Sequence, residues 1–217
     1  MNRRTLGRLA AAVFATSLFA GLAPLAHAAD EAPDAFIKRL SDDVLATIKT
    51  DKNVQSGNID HIMKVVDAKI MPNVNFQRMT AGAVGPAWRQ ATPEQRQRLQ
   101  DEFKLLLVRT YSGALSQVSN EQITMKPLRA EPTDTDVLVR SEIRGRGEPI
   151  QLEYRLEKTP GQGAGWKIYN LNVLGVWLVE TYRSQFAQEV NAKGIDGLIA
   201  SLAERNRANV ANAGKKG

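Results

Sequence analysis

The sequence predicts an α+β fold: a twisted antiparallel sheet of about four to five strands, packed on one face by several helices in a cone-like arrangement. Three observations carry this. Apolar residues recur at three-four spacing between residues 37 and 118, the period changes to two between residues 137 and 156, and three-four spacing returns after residue 176. No internal repeat or interdomain linker interrupts the order, so a single domain is expected over residues 29–204.

The chain opens with Arg3, Arg4 and Arg8, followed by an apolar run over residues 9–22 that is too short to span a bilayer. Pro24 breaks the run, and Ala26-His27-Ala28 gives the small-x-small pattern of a cleavage site. Residues 1–28 therefore read as a cleavable signal peptide, cut after Ala28, and the expected location is the periplasm. Losing them removes three arginines and no acid, so half of the formal +6 charge remains. That balance does not call for a nucleic-acid partner. The chain has no cysteine, which leaves neither disulfides nor thiolate metal sites.

Residues 34–49 carry Ile37, Leu40, Val44, Leu45 and Ile48 on one helical face. A polar break over residues 52–57 precedes a second amphipathic helix bearing Ile59, Ile62, Met63, Val66 and Ile70, which Pro72 stops. Phe76, Met79 and Val84 predict a short helix ending near Gly85-Pro86. Thr92-Pro93-Glu94-Gln95 is a capping box with proline at the first helical position. The helix it opens shows Leu99, Phe103, Leu106, Leu107, Thr110, Tyr111, Leu115 and Val118 on one face and is expected to reach about residue 119.

Strands come next. Residues 123–128 are the first; Val137, Val139, Ser141 and Ile143 alternate with Leu138, Arg140, Glu142 and Arg144 in the second. In the third, Ile150, Leu152, Tyr154 and Leu156 alternate with Gln151, Glu153, Arg155 and Glu157, and residues 166–173 form the last. Such strands have one wet face and one in the core. Residues 145–148 and 160–165 are the hairpin turns. Val176, Val179, Tyr182, Phe186 and Val190 then share a helix face, Gly194 ends that helix, and Asp196 caps a final one. Residues 205–217 read as a flexible tail.

Chemistry-bearing groups are scarce. Past residue 28 the one histidine is His61, between Ile59 and Ile62 on a helix and without companions for acid–base work. No Gly-x-Ser-x-Gly, His-Glu-x-x-His or Walker pattern occurs. The glycine-rich stretch at residues 161–165 precedes a strand, whereas a phosphate cradle needs a helix N-terminus. Arg140, Arg144, Arg146, Arg155, Lys158 and Lys167 interleave with Glu142, Glu153 and Glu157, which is the pattern of a mixed solvated face. Inward strand positions hold no Asp, Glu or His, and an apolar pocket without convergent titratable groups binds rather than reacts. No enzyme activity and no cofactor are therefore expected. Two alternatives stand beside a ligand carrier: an exported enzyme on a cone-like α+β fold acting on an apolar substrate, and an interaction or stress protein whose core is simply filled.

The run Asn75-Phe-Gln-Arg-Met79, then Trp88 to Gln95, Phe103, Leu106-Leu107 and Thr110-Tyr111, continues with Trp166-Lys-Ile-Tyr169, Gly175-Val176, Tyr182-Arg183-Ser-Gln-Phe186 and Gly194-Ile-Asp-Gly-Leu198. In this order it resembles the MlaC family of periplasmic phospholipid-binding, or toluene-tolerance, proteins. The resemblance implies a lipid cavity between sheet and helices, with the head group left near solvent. It implies a carrier of diacyl phospholipid between an outer-membrane lipoprotein complex and an inner-membrane ABC transporter, maintaining outer-membrane lipid asymmetry. The chain departs from the family pattern at Asn170, Leu174 and Trp177, where members commonly carry Asp, Glu and Ser.

A diacyl lipid in water exposes roughly 30 methylenes at ~0.8 kcal/mol each, a barrier of about 24 kcal/mol that a carrier must hide. On this reading Val137, Val139, Ile143, Ile150, Leu152, Tyr154 and Ile168 line the cavity from the sheet. Leu107, Tyr111, Val176 and Val179 face them from the helices. A phosphate left in water keeps its solvation, so loose head-group selectivity is expected.

Overall fold

A computed structural model describes residues 31–115, 120–145 and 147–213; the leader expected at residues 1–28 and the expected end of the long helix lie outside these residues. Helix α1 (Pro33–Thr50) starts on a proline with Asp34 in its first turn, both favourable at a helix N-terminus, and buries Phe36, Ile37, Leu40, Leu45 and Ile48. Asp51 caps the one-turn α2 (Lys52–Gln55) by accepting from the N–H groups of Asn53 and Val54. It also lies 2.6 Å from Nε2 of His61 on α3 (Ile59–Val65). The hydrogen bond from His61 is the main reason the Asp51 carboxyl sits below its ordinary range. His61 is thus a clasp at a helix corner.

The helix expected to continue to Ile70 widens instead into a π turn at Val66–Ile70 and tightens into a 3-10 turn at Met71–Asn73. Val74 then bridges Ile168 of the sheet. Helix α4 (Phe76–Val84) comes after it, and a 3-10 turn at Gly85–Gln90 leads to α5 (Pro93–Leu115). The capping box is formed reciprocally: Gln95 N–H donates to Thr92 Oγ1 at 3.2 Å, and Thr92 N–H to Gln95 Oε1 at 3.0 Å.

The sheet is a five-stranded antiparallel meander in the order β1 (Gln122–Met125), β2 (Asp136–Arg144), β3 (Ile150–Lys158), β4 (Trp166–Val173), β5 (Val176–Trp177). Val176 therefore belongs to a strand, and the last helix starts two residues later than the apolar spacing suggests. Between β3 and β4 the register passes from Arg155↔Asn170 to Leu156↔Ile168, leaving Tyr169 as the extra residue of a bulge. The bulge switches faces. Leu171 and Val173 join Ile168 on the inner face, while Asn170 and Asn172 turn outward.

The outward asparagines are buried because they anchor the β4–β5 turn and the start of the last helix. Asn172 Oδ1 accepts from the Gly175 N–H in that turn. Asn170 Oδ1 accepts from the Val179 N–H in the first turn of α6 (Leu178–Ala213), and its amide donates to Glu180 at 2.8 Å. Helix α6 breaks at Gly194 (φ 70°, ψ −173°), the expected boundary, where a side chain would be strained. The tail does not begin at residue 205. Arg205 pairs with Glu189 at 2.9 Å, buried Asn206 donates to Glu102 of α5, and the helix runs to Ala213. Side-chain anchors thus extend a segment whose composition alone reads as frayed.

Three apolar clusters result. The first joins α4, α5 and α6 around Phe76, Phe103, Tyr182 and Phe186, whose rings meet at 4.9–5.7 Å. The second lays Phe36, Ile37 and Leu40 of α1 on the inner sheet face. The third joins α1, α2, α3 and α5 through Ile48, Val54, Ile62 and Val108. Val74 packs on the first two and Val44 on the last two.

Arg78 of α4 ties the helical body to the sheet. Its guanidinium lies 3.5 Å above the Tyr169 ring and pairs with Glu157 and Asp136. The Tyr169 hydroxyl donates to Asp136 at 2.8 Å. Burial, and then that contact with a carboxylate, push its pKa up to about 12.

Candidate functional site: the open half of the inner sheet face

Strand register sorts the inward residues into rows that run across the sheet. The row Val137–Leu156–Ile168 is closed, at 5%, 0% and 6% exposure, under Phe36 and Ile37 of α1. In the next row Val139 and Tyr154 are buried and Leu171 is partly open. In the third, Met125, Leu152 and Val173 are all partly exposed around buried Ser141, and Val176 is exposed. In the last, Ile123 stays buried while Ile143 is partly open and Ile150 exposed. Burial thus falls row by row toward one corner of the sheet, at Ile150, Val173 and Val176. Apolar side chains pointing inward yet incompletely covered make this corner of the inner face the candidate site.

The helices explain the opening. Helix α1 packs on β1 and β2, and α4 and α6 meet the sheet at β4, whereas α5 packs on α3, α4 and α6 rather than extensively on any strand. Leu107 and Tyr111, four residues apart on one side of α5, are partly buried, and Leu107 packs against the first cluster. Burial raises the Tyr111 phenol above its ordinary pKa, so it stays neutral. Val44, Met63, Val66, Met71 and Val74 are likewise apolar and only partly buried. Met63 is on α3, Val66 and Met71 lie in the π and 3-10 turns, and Val44 and Val74 bridge clusters.

The sequence-predicted lining residues therefore divide. Ile143 and Leu152 lie in the partly exposed rows, with Ile150 and Val176 exposed at the corner, whereas Leu107 packs on the helical cluster and Tyr111 is partly buried one turn further along α5. Val137, Val139, Tyr154 and Ile168 lie under α1 in the closed half. Val179 sits in the helical cluster, packed against Gly82 of α4. Sequence reasoning missed Leu171, Val173, Met125 and the residues of the wide turn. The alternation Asn170-Leu171-Asn172-Val173 carried the signal for two of them.

No Asp, Glu or His occupies an inward position of these rows. Glu142, on the outer face, is held by Lys126, Gln151 and Arg144, which together lower its pKa to about 2. Tyr154 is sealed beneath α1, with its hydroxyl 3.4 Å from that of Ser141. Among the described residues, no group of three acids or histidines is placed to hold a metal ion, and no helix is long and apolar enough to cross a membrane. Two surface clefts lie elsewhere. One of about 350 Å³ runs between α1 and β1 and includes Lys38, Lys49 and Glu121; the other, of about 270 Å³, lies beside Trp166. The first is flanked by charged side chains and the second abuts the closed end, so neither is the apolar opening.

Known proteins share these features of sequence and fold. The family described as MlaC protein matches residues 38–204. The toluene tolerance protein ttg2D of Pseudomonas putida is 26% identical over 192 residues, covering 85% of this chain and 88% of that protein. The intermembrane phospholipid transport system binding protein MlaC of Haemophilus influenzae is 23% identical over 176 residues, covering 80% and 82%. The solved structure of a phospholipid-binding protein from Ralstonia solanacearum, in complex with a phospholipid, is 48% identical. It superposes with a TM-score of 0.78 over 82% of this chain and 98% of that one.

Proposed function

The chain belongs to the MlaC family, and on that premise we propose that it is a periplasmic phospholipid carrier. It takes diacyl lipid between an outer-membrane lipoprotein complex and an inner-membrane ABC transporter and so keeps the outer leaflet free of misplaced phospholipid. The leader at residues 1–28, cut after Ala28, delivers it there.

The observation that supports this reading is the loss of cover along the inner sheet face. Leu152, Leu171, Val173 and Ile143 on the inner sheet face are only partly covered, and Leu107 and Tyr111 on α5 are likewise only partly buried. Acyl chains seated there hide their methylenes and cover the protein's own apolar atoms, so both partners gain. The three clusters share few residues, so the walls can part to admit a lipid while each cluster stays intact. A phosphate left in water keeps its solvation, so the head group is weakly selected on this reading.

Native mass spectrometry of the exported protein tests this reading. Phospholipid of mixed head groups should accompany the protein through purification. Protein that is lipid-free from the first gentle extraction, and that takes up none from vesicles, overturns it.

A further inference from the structure

Among the described residues, the large apolar side chains left exposed are three: Leu174 at 62%, Val176 at 48% and Ile150 at 37%. All three stand at the open corner of the sheet. Leu174 and Gly175 form the two-residue turn between β4 and β5, and both have positive φ, 53° and 85°. Turns of this kind favour Asn-Gly, because a bulky residue in the left-handed region is strained. Leu174 therefore accepts backbone strain and solvent exposure together, and most of its side chain stays uncovered by its own chain. The turn is nonetheless rigidly held. The Leu174 N–H donates to the Gln151 carbonyl at 3.0 Å, continuing the ladder, and the Gly175 N–H donates to Asn172. Just behind it, Trp177 lies beneath the Arg155 guanidinium at 4.2 Å.

From this geometry we infer that the β4–β5 turn is a membrane-contacting tip: Leu174, with Val176 and Ile150 beside it, enters the surface of a phospholipid bilayer and seats the open corner against it. The inference rests on the carrier reading, since it places the cleft where lipid leaves or enters without crossing water. A bilayer fits better than a second copy of the chain or another protein. Three side chains around one turn fall far short of the ~800 Å² per partner of a stable protein interface. A bilayer accepts a small apolar projection with no matching shape. Arg155 is paired with Glu180 and Arg144 with Glu142, so the contact we infer is apolar and does not depend on anionic lipid. Tryptophan behind a leading leucine suits the head-group layer.

Flotation of the exported protein, its N-terminus read by mass spectrometry, with zwitterionic phosphatidylcholine vesicles tests the tip. The wild-type protein should float with the vesicles at low and high salt alike. Leu174→Asn keeps a residue suited to the left-handed turn, so its melting temperature should hold or rise while vesicle binding drops about tenfold. Val176→Thr, which preserves strand propensity, should weaken binding in the same direction. A wild-type protein that stays in solution, or a Leu174→Asn variant that floats equally well, overturns the inference. Co-purified lipid, measured on the same samples, separates the two readings. Lipid present without flotation removes the tip alone, whereas flotation with neither co-purified lipid nor lipid uptake removes the carrier.

Discussion

Val139 and Leu152 face the same side of the sheet on neighbouring strands, and a period-two pattern makes them equivalent. Helix α1 separates them. Val139 is 1% exposed beneath it, whereas Leu152, at the edge of the same cluster, is only partly buried. Val139→Trp should therefore overpack a filled site and lower stability by about 1–3 kcal/mol. Leu152→Trp should leave the denaturation midpoint nearly unchanged while displacing co-purified phospholipid. Chemical denaturation and native mass spectrometry on the pair check this, and equal destabilisation of both would mean the open half is a filled core. Glu142 gives a pH prediction. Its folded pKa of about 2 lies below the ordinary 4.5 because Lys126, Gln151 and Arg144 hold its charged form. A depressed carboxyl stabilises the fold above its unfolded pKa and loses that contribution as pH falls through the folded value. The melting-temperature advantage of wild type over Glu142→Gln should accordingly be full near neutrality and shrink between about pH 5 and pH 2. An advantage that persists undiminished at pH 2 would refute that assignment.

Helix α6 depends on a strand for its start. Asn170, turned outward by the bulge at Tyr169, accepts the Val179 N–H and donates to Glu180, which also meets Arg155 at 2.9 Å. Asn170→Ala removes this cap and should cost about 1–2 kcal/mol. Hydrogen exchange should show the loss concentrated in the first turns of α6, with the far end, anchored by Asn206 on Glu102, less affected. Uniform loosening along the helix would mean that the cap does not set the start. The bulge has a second effect at this scale. Without it Asn170 and Asn172 would face inward and put amides where acyl chains are expected; with it Leu171 and Val173 take those positions.

Over the whole molecule, three apolar clusters joined at Val44 and Val74 replace one continuous core. A fold of this kind leaves part of its stabilisation to the ligand that fills the gap. A ligand that binds only the folded state at a hundred times its Kd adds about 2.7 kcal/mol. Lipid-loaded protein should thus melt several degrees above delipidated protein, and delipidated protein should bind an apolar dye at the open half. A melting temperature indifferent to lipid would count against binding between the clusters.

The sequence by itself determined the order of elements, the capping box at Thr92 and Gln95, the break at Gly194 and the family likeness. Each of these depends on neighbours within a few residues or on a pattern spread along the chain, and both survive in one dimension. Periodicity also named the correct face for Val137, Val139, Ile143, Leu152 and Tyr154. Only the tertiary structure decided which of these are covered, since cover comes from α1, far away in sequence. It likewise placed Val179 in the helical cluster, Val176 on a strand and Leu174 at an exposed turn. The bulge at Tyr169 and the widened turn after Val65 were not legible, because each is a local compromise with a distant partner: Arg78 for the first, and the Val74–Ile168 bridge for the second.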